Sequence, residues 1–195
     1  VYDLRDTVQQ DAGRVKLFSM LSIGLVLALI VVGAPLIVRS QRINEFGNHY
    51  VEALHFGEAH TRSDVVVFVP GENVVIAGDL LEEGADIQVD ETTNLSNWPT
   101  FLDGVLGATN ATTRFVPGHG DVVDRDFAFI ARAEISMLYG QTEMLIQQGT
   151  ALEDAAAATE WPFSAETLAV ALPKAYAELA AKGITPRKQL PIFGL

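Results

Sequence analysis

The 195-residue sequence contains no cysteine. Disulfides and thiolate metal sites are therefore excluded, and any metal must be held by imidazole and carboxylate, donors that suit zinc, iron or manganese. Histidine is scarce too, with four in the chain, so each is worth placing. Basic residues are thin beyond the N-terminal stretch. Residues 1–42 carry five Lys/Arg against three Asp/Glu, a net +2, whereas residues 43–195 carry eight against 22, a net −14. A domain that acidic repels phosphate backbones, so nucleic acid is not an expected partner. There is no initiator Met, and the sequence begins at Val1, which leaves open residues upstream. No internal repeat is visible.

Charge is also missing, completely, from Leu17 to Val38: LFSMLSIGLVLALIVVGAPLIV. At helical rise these 22 residues reach about 33 Å, matching a hydrocarbon core of ~30 Å. A cleavable signal peptide would have a shorter apolar region and a small-residue cleavage site. A buried core helix would not be apolar all round for that length. The segment therefore predicts a single transmembrane helix, and the bilayer as a partner. Arg5, Arg14 and Lys16 precede it and Arg39 and Arg42 follow, a margin of one charge that places the tail inside and the acidic domain on the extracytoplasmic side. The expected organisation is an N-terminal tail over 1–16, a membrane helix over 17–38, a linker over 39–49, a folded domain over 50–183 and an extended tail over 184–195.

From Asn48 onward short apolar runs alternate with turns. His49–Phe56 predicts a strand, Asp64–Val69 a buried β-branched strand, and Asn73–Ala77 a second one after the turn at Pro70-Gly71. Residues 80–95 are acidic and without period, and predict a long surface loop. Ser96 or Asn97 can cap a helix reaching about Leu106, with Pro99 in its first turn. Thr113–Val116 predicts a short strand, followed by helices over 126–148, 151–159 and 164–182, with Gly183 as a stop. Strands followed by helices give an α+β layered domain.

Three segments place a polar side chain with metal-ligating chemistry in a turn after a strand, where a rigid scaffold can hold it. They are Gly57-Glu58-Ala59-His60-Thr61 with Asp64 close behind, Ile76-Ala77-Gly78-Asp79-Leu80, and Val116-Pro117-Gly118-His119-Gly120-Asp121. Singly, a Gly-Asp is usually a turn and a Gly-His-Gly a flexible loop; in order they are more specific. The succession A-H-T-x-x-D, V-x-x-x-G-D, a Trp-containing helix and V-P-G-H-G resembles the C-terminal half of the metallo-β-lactamase superfamily, over about Tyr50 to Ala181. The resemblance implies half of, or an incomplete, αββα sandwich, here preceded by the transmembrane helix expected from Leu17–Val38, and one or two zinc ions at the edge between the two sheets. It further implies that His60 is the third histidine of one metal site, that Asp79 bridges both metals and that His119 completes the second. Thr61 and Asp64 would support the ligands by hydrogen bonding.

The family's first half supplies a His-x-His-x-Asp-His motif, and nothing like it occurs here. His49 and His55 lie six residues apart on a strand, roughly 20 Å, too far to share an ion, and are expected to be ordinary strand residues. Each implied site keeps one histidine and a share of Asp79, whereas a catalytic zinc takes three protein ligands and a water. No catalytic residue can be named on that basis. Only 21 residues separate Val38 from His60, too few for a first half, so one apolar sheet face should lack its cover. The expected function is a membrane-anchored, non-catalytic accessory or structural subunit, with other membrane subunits or a second copy covering that face. The alternative is a zinc-dependent hydrolase of ester or thioester type whose remaining ligands come from a missing segment or a partner chain. A plain anchored globular domain is a third, weaker fit.

Overall fold

The structure, a computed structural model, describes residues 42–46 and 49–186. The expected membrane helix over 17–38, and the orientation drawn from its flanks, lie outside the described residues, as does most of the 184–195 tail. Among the described residues no helix is long and apolar enough to cross a membrane.

One sheet runs through the domain in the order β1 (Arg42–Phe46), β2 (His49–Leu54), β3 (Val66–Val69), β4 (Val74–Glu82) and β5 (Arg114–His119). The first four strands form an antiparallel meander, and β5 joins parallel to β4 after a helical crossover. The helices are α1 (Trp98–Gly107), α2 (Arg125–Gln148), α3 (Leu152–Ala158) and α4 (Ala165–Ala181).

The period-two pattern of the strands separates two apolar rows. Phe68, Val75 and Phe115 are paired neighbours across β3, β4 and β5, and join the core with Leu54 and Val66. Against this row packs α1, which buries Trp98, Phe101, Leu102, Val105 and Leu106, the i, i+3, i+4, i+7, i+8 stripe of a core-facing helix. Each such side chain contributes about 1.5–3 kcal/mol when fully buried. The second row, Ala53–Val67–Ile76–Val116, is also in register, yet none of its members is fully buried and Ile76 is 45% exposed.

Three features depart from the sequence expectation. Arg42–Phe46, expected in a linker, pairs with β2 along its whole length. The predicted loop over 80–95 begins three residues late, because β4 continues through Leu80, Leu81 and Glu82, all buried. Asn97 occupies the N-cap of α1 but makes no side-chain cap; its amide donates to the Glu58 carbonyl at 2.6 Å. The amides just ahead of the helix, those of Leu95 and Ser96, donate to the Glu178 carboxylate of α4, both at 3.0 Å.

Asn73 sets the frame of the β4–β5 pair. It closes the short 3-10 turn Pro70–Glu72 in the left-handed region, φ 54°. Its side chain bonds Asn110, Thr112 and Thr113 ahead of β5, which fixes β5 beside β4 and so fixes what meets at their far ends.

Candidate metal centre

The β4–β5 ladder has two irregularities, one between Ile76 and Gly78 and the other between Gly78 and Glu82, and Asp79 lies in β4 within the second. Gly78 takes φ 59°. Bulges of this kind bend a strand and re-aim a side chain. After the second irregularity the ladder resumes with Glu82 opposite His119. The two strand ends thereby bring Asp79, Glu82 and His119 together, with one donor atom of each within 4.8 Å of the others.

The three present themselves differently. The side chains of His119 and Asp79 are 61% and 46% exposed, while that of Glu82 is 1% exposed. His119 Nδ1 lies 3.0 and 3.3 Å from the two Glu82 oxygens and 3.9 Å from Asp79 Oδ1. Gly118 makes the approach feasible, since a Cβ there would collide with the Asp79 carboxylate.

His60 stands outside this group. Its ring meets Trp98 edge-on at 5.5 Å, and its carbonyl accepts from Thr93 Oγ1 at 2.9 Å. The turn carrying it is pinned by Asp64, whose carboxylate accepts the Ala59 amide at 3.0 Å, the Thr61 amide at 2.9 and 3.1 Å and the Thr61 hydroxyl at 2.8 Å. His55 follows β2 and donates from Nδ1 to the Asp64 carbonyl at 2.6 Å; His49 opens β2.

Glu82 is the residue the sequence pattern did not single out. Its signal is the apolar pair Leu80-Leu81 directly after Gly78-Asp79, which continues the strand instead of ending it. Chemically, the cluster offers two carboxylates and an imidazole to a divalent cation, a donor set that zinc accepts.

Comparison with known proteins gives a likeness by sequence and by structure. The type 2 metallo-β-lactamase of Bacillus cereus is 30% identical over 83 residues, covering 42% of this chain and 32% of that protein. The corresponding protein of Bacteroides fragilis is 27% identical over 73 residues, 36% of this chain and 29% of that protein. The chain thus spans about a third of the length of the curated relatives it matches. Among solved structures, a double mutant of the sec-alkyl sulfatase Pisa1 superposes with a TM-score of 0.60 at 14% identity, over 80% of this chain and 27% of that one. The unmutated enzyme, from Pseudomonas sp., gives 0.59 at 15% identity over 71% and 25%. No family model matches the chain. The domain is a mixed α+β, partial metallo-β-lactamase-like fold, in which Asp79, Glu82 and His119 form a cluster with the donor atoms to hold a metal ion.

Proposed function

We propose that this chain supplies one part of a zinc-dependent hydrolase centre, of ester or thioester type, and that the remaining ligands come from another polypeptide segment. The convergence of Asp79, Glu82 and His119 where β4 and β5 end carries this proposal. Two of the three side chains are open to solvent, as an ion arriving from solution requires. His119 and Asp79 would hold the zinc. When bound, zinc lowers the pKa of a coordinated water to ~7 and polarises a carbonyl. The likeness to type 2 metallo-β-lactamases over a third of their length supports the same assignment. Two exposed ligands fall short of the three that a catalytic zinc takes from protein, so turnover requires the completing segment. That segment is a metallo-β-lactamase-type first half carrying His-x-His-x-Asp-His, seated on the Ala53–Val67–Ile76–Val116 face.

The open apolar row also favours a second function, a non-catalytic accessory subunit that keeps the fold as a docking surface and is held to the membrane by residues 17–38 as a single pass, with the domain extracytoplasmic. Zinc titration of the full chain by calorimetry separates the two. The hydrolase assignment expects saturable zinc binding that falls at least tenfold in His119→Ala and in Asp79→Asn. A folded protein that takes up no zinc overturns it and leaves the accessory subunit.

A further inference from the structure

The residue pair Glu82-Glu83 engages His119 from two sides. An ionised carboxylate only accepts hydrogen bonds. With Glu82 as the acceptor, the approaches of 3.0 and 3.3 Å between its oxygens and His119 Nδ1 correspond to a ring proton on Nδ1 and a lone pair on Nε2. Burial makes this contact decisive. With its side chain 1% exposed, Glu82 has little water to turn to, and a buried carboxylate without a partner is strongly disfavoured.

Glu83 holds the same histidine through the main chain. Its amide donates to the His119 carbonyl at 3.2 Å, and its Oε2 accepts the Asp121 amide at 2.9 Å. Gly120, at φ 87°, carries the chain over this contact, where a Cβ would collide with the Glu83 carbonyl and carboxylate. His119 is thus the most exposed side chain of the cluster on the most constrained support, as expected of a ligand whose ring must already be oriented when the ion arrives.

We propose that Glu82 is a positioning residue and not a ligand. It fixes His119 in the Nδ1–H tautomer, so that Nε2 takes the zinc, while Glu83 locks the backbone of the same residue. This rests on the zinc assignment for the identity of the ion alone; the tautomer is a property of the metal-free chain.

The test has two arms on the full chain. Nitrogen-15 NMR of the histidine rings without metal, at pH 8, is expected to show His119 protonated at Nδ1 and bare at Nε2. Glu82→Gln, which keeps an accepting oxygen and the side-chain volume, should preserve that pattern; Glu82→Ala should move both nitrogen signals towards a tautomer mixture. A proton on Nε2 in the unaltered protein, or unmoved signals in Glu82→Ala, overturns the proposal. In the zinc arm, Glu82→Ala is expected to weaken binding about 10–100-fold, the cost of losing an orienting partner, with Glu82→Gln in between. Loss in Glu82→Gln as complete as in His119→Ala makes Glu82 a ligand and also overturns it. If the tautomer is as stated but the protein takes no zinc, the positioning role stands and the hydrolase assignment falls.

Discussion

Asp86 ties the loop after β4 to the start of α4 through a single carboxylate. Its Oδ2 accepts the Ser164 amide at 2.7 Å and the Thr167 hydroxyl at 2.9 Å, while Ser164 itself caps the helix. Burial pushes the Asp86 carboxyl upward, but the hydrogen bonds from Ser164 and Thr167 together outweigh it and hold the pKa below the ordinary carboxylate value. A depressed folded-state pKa adds stability above the unfolded value of about 3.9 and withdraws it as pH falls through the folded-state pKa. Asp86→Asn is therefore expected to cost about 1–2 kcal/mol at neutral pH, with the gap to the unaltered protein closing on acidification. Denaturant unfolding at pH 7 and at pH 3 checks this; an equal gap at both would show that the charge is not involved. Glu134 behaves oppositely, raised first by burial and then by the Asp86 charge, so its ionised form opposes folding as pH rises past the ordinary carboxylate value.

Among elements, the β4–β5 pair decides where the chemistry sits. Parallel pairing from Val74–Arg114 to Glu82–His119 passes two irregularities, and these turn Asp79 towards His119 without ending the strand. Gly120 marks the limit of tolerance at this junction. A side chain there would be strained at φ 87° and would also strike Glu83, so Gly120→Ala is expected to destabilise by about 1–3 kcal/mol and to weaken zinc binding as His119 shifts. Thermal melts with a parallel zinc titration measure both, and an unchanged melting temperature would show that the Glu83 contact is dispensable. This junction is also where sequence patterning was least informative. Gly78-Asp79 has the look of a strand end, and the acidic run after it has the look of a loop. What extends β4 to Glu82 is pairing with a strand that lies nearly forty residues on, a tertiary effect that no local window contains. Arg42–Phe46 was illegible for a similar reason: five mixed residues become a strand by partnering β2. The two long helices were legible because each carries its own capping residue, Asp124 for α2 and Ser164 for α4.

At the scale of the whole molecule, the resemblance carried by Ala59-His60-Thr61, Gly78-Asp79 and Pro117-Gly118-His119-Gly120 was visible in the sequence as an order of motifs, because each motif is local. Which of them share a site was not visible, since that depends on how strand ends converge. The fold brings Asp79 and His119 together and adds Glu82, while His60 packs on Trp98 outside that cluster. The domain also carries an in-register apolar row, Ala53–Val67–Ile76–Val116, that is only partly covered among the described residues, and on the proposed assignment a zinc at its cluster would lack the ligands of a His-x-His-x-Asp-His motif. The completing segment we propose would answer both, by covering the row and bringing the missing histidines. Whether the domain holds an ion where β4 and β5 end is the point on which the whole assignment turns. The most direct measurement is an anomalous difference map at the zinc edge from crystals of the full chain grown with zinc. The expected result is a peak where β4 and β5 end, held by His119 and the Asp79 carboxylate, with Glu82 still in contact with the His119 ring. A map whose zinc peaks all lie elsewhere, or that has none, would contradict it.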